Sequence, residues 1–314
     1  MRISQLLYGI ATFVPGVAAI FGRGGGDTKS ARYCYSVWLR HLIKAYETDP
    51  SFVHPKVVAE LGPGDSLGIG VSALLSGTDE YYAFDLVKHA NVARNVRVFE
   101  EILSMFETRA DVPGPSEFPE VRPLVSSYSF PRHILTDEHL ARALAPSRVA
   151  RIRDSIRDQG RDDSMIEYRT RWFDEAAVER ESVDMLYSQA VLEHVDDLPG
   201  TYRAMRLWVK NGGMLSHSID FRCHSTANDW NGHWRYSDRI WRLIRGRRSY
   251  LLNREPYSAH LQLLRDNGFE LTLKQPDTAK SRFKREDLAP RFRNLSDEDL
   301  TTCTAVIQAV KRTA

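Results

Sequence analysis

The stretch Lys56-Val-Val-Ala-Glu60-Leu-Gly62-Pro-Gly64-Asp-Ser-Leu-Gly68 decides the fold. Its apolar run ends at a glycine cluster, the pattern of a buried strand followed by a tight turn. Leu67 to Ser76 then predicts a small-residue helix closed by Gly77, and Tyr81-Tyr-Ala-Phe-Asp85 a second buried strand with an acid at its carboxyl end. The spacing makes a βαβ unit. The glycines let the backbone pass close to a ligand, and the helix behind them presents free N–H groups. A carboxylate placed like Asp85 can accept both hydroxyls of a ribose. These features predict an adenosine-containing cofactor. NAD suits the loop less well, because Gly68 comes one residue too late for the dinucleotide fingerprint. Glu60, two residues before the first glycine, suits a cofactor that brings an ammonium group and no diphosphate.

Outward from this unit, strand patterns recur at Met165 to Tyr168, Val183 to Ser188, Met214 to Asp220, Phe269 to Leu273 and Thr304 to Val310. Helical spacing joins Leu198, Tyr202, Met205 and Val209, and Ser258 to Asn267 predicts another helix. Alternating strands and helices predict a doubly wound α/β fold with a mostly parallel seven-stranded, Rossmann-like sheet. Residues 88–163 hold five prolines between Pro113 and Pro131 and then an Arg-rich helical pattern. They read as a helical insertion covering one sheet edge. The expected division is an apolar, helical segment over 1–50 and one domain over 51–314.

The chain has 314 residues, 42% hydrophobic, enough for a sizeable core, which excludes disordered and disulfide-stapled classes. A net charge of +2 gives no support for a nucleic-acid partner. Cys34, Cys223 and Cys303 are far apart with no CxxC, which suits a reducing, cytoplasmic compartment and excludes a zinc site built mainly from thiolates. Leu6 to Gly22 carries no charge, but Pro15 and Gly16 interrupt it and it is too short to span a bilayer. The expectation is a helix packed on the body; peripheral membrane contact through residues 1–25 is the alternative.

Glu60 to Gly68, Asp85, Ser188-Gln-Ala-Val-Leu-Glu-His-Val195 and Gly212-Gly213 together resemble the class I S-adenosylmethionine-dependent methyltransferases. The resemblance implies S-adenosyl-L-methionine as cofactor, with Glu60, Gly62 and Gly64 near the methionine and Asp85 on the ribose. It also puts Ser188, Gln189 and the residues through His194 beside the sulfonium, and makes Arg169 to Asp174 a regional guess for the adenine.

Methyl transfer to an alcohol needs a base or a metal, because the acceptor proton is weakly acidic. Candidates for the base are His194, Asp220 and His224. The spacing of His217, Asp220, His224, Asp229 and His233 is compatible with a divalent metal but is no signature, so a metal stays open. Trp230, Trp234 and Tyr236 alternate with His233 and Arg235, offering flat faces and hydrogen-bonding groups of the kind a sugar ring takes up. With His217 they form the expected acceptor site. The segment resembles methyltransferases of polysaccharide biosynthesis, which implies O-methylation of a glycan or sugar acceptor. A lipid, quinone or small-metabolite acceptor is the alternative, and a non-catalytic binding protein on the same fold is the third.

Overall fold

The computed structural model describes residues 2–14, 27–86, 91–170, 177–248 and 251–312. Seven strands form one sheet: β1 (Val57–Leu61), β2 (Glu80–Phe84), β3 (Ile166–Arg169), β4 (Val183–Gln189), β5 (Val209–Asp220), β6 (Phe269–Thr278) and β7 (Thr302–Lys311). Their order is β3-β2-β1-β4-β5-β7-β6, with β7 antiparallel to both neighbours and every other pairing parallel. The fold is therefore the expected one, a seven-stranded, mostly parallel Rossmann-like sheet of the methyltransferase type. Strand order reverses between β1 and β4, and at such a switch point the loops at the carboxyl ends part into a crevice. Leu61 pairs with Phe84 on one side and Ser188 on the other, so the turns after β1, β2 and β4 lie side by side at that crevice.

The flanking helices are α1 (Ile3–Ala11), α2 (Ala31–Thr48), α3 (Gly68–Leu75), α4 (Val92–Glu107), α5 (Asp137–Ala143), α6 (Pro146–Arg157), α7 (Leu198–Trp208), α8 (Asp238–Arg245), α9 (Tyr257–Asp266) and α10 (Asp297–Thr301). Ser30 caps α2 by accepting from the Tyr33 amide. The helix then buries Tyr35, Trp38, Leu39 and Leu42 in one cluster with Val58 and Tyr187 of the sheet. Each such side chain contributes roughly 1.5–3 kcal/mol of burial. A boundary at residue 51 is thus corrected: α2 belongs to the core of the sheet domain.

The described residues of the expected insertion over 88–163 hold three helices, α4, α5 and α6, and one irregular segment. α4 packs on α3 and α6 as an ordinary crossover helix. The irregular segment 108–136 runs over α2, where the buried Arg40 guanidinium donates to the carbonyls of Val121 (2.6 Å) and Pro113 (2.7 Å). It reaches the carboxyl end of the sheet, where Arg122 pairs with Asp277 (2.5 Å) and Glu120 with Arg222 (2.6 Å). With no periodicity of its own, its course follows from these long-range carbonyl and ion-pair contacts. α1 packs on α8, as expected of the apolar leader; the rest of the uncharged stretch, residues 15–22, lies outside the described residues. A Cβ on Gly9 would sit 2.1 Å from the Ile244 carbonyl oxygen, so glycine sets how closely the two helices meet.

Candidate active site

The turn after β1 has the backbone its glycines foretold. Gly62 and Gly64 take φ of 69° and 70°, a region side chains disfavour. A Cβ on Gly62 would come within 2.5 Å of Val191 Cγ2, so the turn after β1 touches the one after β4. Gly68 opens α3 where Cys34 Sγ would stand 2.5 Å from an added Cβ, which fixes the helix against α2. Asp85 follows β2 at 9% exposure, one carboxylate oxygen accepting from the Leu86 amide (2.7 Å). A glycine cradle that a Cβ would fill, with a carboxylate one strand away, fits an adenosyl cofactor.

Glu60 takes a different role from the expected one. It is 2% exposed, and one oxygen accepts from Tyr81 (2.5 Å) and Tyr187 (3.2 Å). Burial raises its pKa to about 7 against these bonds, and the neighbouring Asp85 charge adds to the rise. Glu60 braces β1 from behind the loop, and the contact with the methionine is withdrawn. Ser188 and His217 are corrected likewise. They face each other across β4 and β5, fully buried, with Ser188 Oγ 2.8 Å from His217 Nδ1. Burial pushes His217 down to about 3 and keeps it neutral. Gln189 is half-buried on the opposite face, 3.3 Å from His41 Nε2 of α2, whose Nδ1 lies 2.7 Å from Ser216 Oγ. No sequence spacing foretold His41, because its partners lie more than a hundred residues away.

The end of β5 gathers the expected bases. The Asp220 carboxylate takes the Arg222 guanidinium through Nε (2.9 and 3.1 Å) and Nη2 (2.9 Å), and lies 3.1 Å from His224 Nε2. Burial would raise its pKa, but the hydrogen bonds from His224 and Arg222 outweigh that and hold it well below the usual carboxylate range. Asp220 is thereby corrected from a base to the group that orients His224. His224 has φ 41° and Ser225 φ 64°, strained for residues with side chains and of a kind that clusters at functional sites. The His194 ring lies 5.0 Å from the His224 ring, edge to face. Asn253 fixes the turn that carries His194, donating to the carbonyls of Leu192 (2.7 Å) and Val195 (2.9 Å).

The aromatic platform is mostly packing. Trp234 is fully buried beside Leu288 and Phe292, and its Nε1 donates to the Arg254 carbonyl (3.1 Å). Tyr236 is buried with Trp241 and donates to the Thr226 carbonyl (3.1 Å). His233 is buried too, pushed down to about 3 by desolvation. A buried ring has no face to offer a sugar, so His217, His233, Trp234 and Tyr236 are withdrawn as acceptor contacts. Trp230 remains half-buried, and Arg235 is exposed over the Phe283 ring at 4.7 Å. Sequence reasoning gave no role to Arg222 or Asn253, and placed Glu193 only within the stretch through His194 beside the sulfonium. Arg169 ends β3, while 171–174 of the adenine guess lie outside the described residues.

Residues 133–216 match the family model described as a methyltransferase domain, from the end of segment 108–136 through most of β5. Structures similar to it include an S-adenosylmethionine-dependent methyltransferase from Methanosarcina mazei, 11% identical over 84% of this chain and 97% of that one, TM-score 0.44. Another, from Mesorhizobium loti, is 15% identical over 86% and 96%, TM-score 0.42. A third is a Haemonchus contortus phosphoethanolamine N-methyltransferase in complex with phosphomonomethylethanolamine and S-adenosylhomocysteine, 14% identical over 88% and 53%, TM-score 0.42. No curated protein matches the sequence. The methyltransferase match makes the protein an enzyme of methyl transfer, and the glycine cradle with Asp85 fits S-adenosyl-L-methionine as its cofactor.

Proposed function

We propose that the enzyme methylates a hydroxyl of a sugar, with a glycolipid as the favoured form of acceptor. The observation that carries the reading is the Asp220–His224 pair beside His194, at the carboxyl end of β5 and next to the cofactor loop. Bound S-adenosylmethionine supplies an electrophilic methyl on a sulfonium. The acceptor oxygen attacks in line, forming an O–CH3 bond as the C–S bond breaks and S-adenosylhomocysteine departs, and the hydroxyl proton passes to a histidine imidazole. Asp220 keeps His224 in the orientation that can receive it. Trp230 and Arg235 supply the remaining aromatic face and cation for the sugar.

An apolar stripe favours a lipid-borne acceptor. Ile3, Leu7 and Ile10 of α1 are 64%, 61% and 43% exposed, and Ile240 and Leu243 of α8 continue the surface. Exposed Arg239, Arg242 and Arg247 border it, the pattern of a helix lying on an anionic bilayer. Arg2, just before α1, donates to the Ser225 carbonyl (3.2 Å), so this surface adjoins His224. No helix among the described residues is long and apolar enough to cross a membrane. The same stripe favours a second reading, a lipid or quinone acceptor with no sugar.

Labelled methyl transfer from S-adenosylmethionine to glycolipid, free oligosaccharide and sugar-free lipid pools tests the choice. Label in glycolipid, removed with the glycan by mild acid, supports the reading. Label confined to sugar-free lipid overturns the sugar acceptor, and label in none of the pools overturns hydroxyl methylation of these classes.

A further inference from the structure

The turn Leu192–His194 after β4 carries a carboxylate with no part in the chemistry described so far. Glu193 is 3% exposed, and neither of its side-chain oxygens has a hydrogen-bond partner, although the backbone amides of Glu193 and Asp220 face it. A carboxylate this far from water, with two backbone amides turned toward it and no cation or side-chain donor, is costly to keep charged, and a bound ion is one of the few things that explains such a group. The turn cannot readily swing the group outward, because the Asn253 amide donates to the Glu193 carbonyl (2.8 Å) and its side chain holds the residues on either side.

Glu193, His194 and His224 each bring one ligand atom to a common point, all within 4.8 Å of one another. The three come from two different loops, after β4 and after β5, so sequence proximity alone does not explain their meeting. Asp220 adds the usual supporting partner: with His224 Nε2 turned to it at 3.1 Å, the other ring nitrogen is left for a ligand. The strained φ of His224 and Ser225 is the backbone's share in holding that ring. We infer that Glu193, His194 and His224 form a binding site for one first-row divalent cation of the zinc, cobalt or manganese type. Two imidazoles and one carboxylate favour these ions over magnesium or calcium, which prefer all-oxygen shells. With a cation bound, His194 and His224 would be its ligands and not the proton acceptor; as a Lewis acid the ion would instead lower the pKa of the acceptor hydroxyl, so that its proton could leave to water. Its purpose rests on the hydroxyl-methylation reading; its binding rests on the geometry alone.

The test uses the untagged full-length chain, stripped with chelator and titrated with Co2+ by visible absorption and with Zn2+ by equilibrium dialysis. One ion per chain is expected, with affinity lowered in Glu193→Gln and in His224→Ala by at least the roughly 10–100-fold that loss of an outer partner costs, while calorimetric affinity for S-adenosylhomocysteine is unchanged. No saturable binding to the wild type, or equal binding by the variants, overturns the inference. His224 is partly exposed, so His224→Ala decides the matter even where Glu193→Gln fails to fold. Cofactor binding without metal binding removes the cation site and leaves the proposed methylation standing. Metal binding with no methylation of any hydroxyl does the reverse.

Discussion

The turn after β1 and the segment after β5 stand near each other at one crevice and are built in different ways. The first is short and local. Gly62 and Gly64 answer a positive-φ demand set within the turn itself, Gly68 opens the helix that follows at once, and Asp85 comes one strand later. The second is assembled from distant parts: Asp220 and His224 from the end of β5, Glu193 and His194 from the turn after β4, Asn253 from before α9, and Glu120 from segment 108–136. The local end fits a cofactor shared by many enzymes, and the assembled end is the one proposed to choose the acceptor.

The sharpest way to separate the two is His224→Ala. Loss of a positioned base lowers kcat by roughly 10^2–10^4-fold, with S-adenosylhomocysteine affinity held within about twofold. Steady-state kinetics beside calorimetry read both, and a parallel fall in cofactor binding would erase the distinction. Within the acceptor segment, Trp234→Ala is expected to cost about 3–5 kcal/mol of stability as a core deletion. Trp230→Ala, half-buried and packed only on the edge of that cluster, should cost less than Trp234→Ala and instead raise the KM for acceptor. Denaturant melts that give the two variants equal losses would contradict the burial difference between them.

The smallest effect concerns Glu60. Its folded pKa of about 7 lies above the usual 4.5, so between those values the unfolded chain releases a proton that the folded chain keeps. Stability from this group therefore falls as pH rises from about 4.5 to 7, by about 1–3 kcal/mol. Glu60→Gln removes that slope, so the variant should gain on the wild type across this window and keep a constant difference above it. Buried His41, His217 and His233, pushed down to about 4, 3 and 3, act in the opposite sense, losing stability as pH falls below 6.5. They cancel in the difference between the two proteins. Chemical denaturation of both at a series of pH values checks it, and parallel curves would contradict a protonated Glu60.

How far the sequence could be read follows the same division. Strand and helix periods located all seven strands, and the glycine spacing located the cofactor turn, because each is a statement about neighbours along the chain. His217 and Asp220 are three residues apart and so lie on opposite faces of β5, where the structure buries His217 and leaves Asp220 at the strand's end. Residues 221–237 have no period, so nothing along the chain tells half-buried Trp230 from buried Trp234; the packing of Leu288, Phe292 and Leu300 decides it. Glu60 misled because a motif position states where a residue sits and not which way its carboxylate turns. Two tyrosines, Tyr81 and Tyr187, claim it, and a single sequence does not reveal them as a pair.

Calorimetric titration of S-adenosylhomocysteine into the wild type, Asp85→Ala and His224→Ala tests the central claim most directly. The account predicts binding to the wild type, a loss of at least about tenfold in Asp85→Ala, where a bidentate ribose contact is removed, and wild-type affinity in His224→Ala. No binding to the wild type, or undiminished binding in Asp85→Ala, would contradict it.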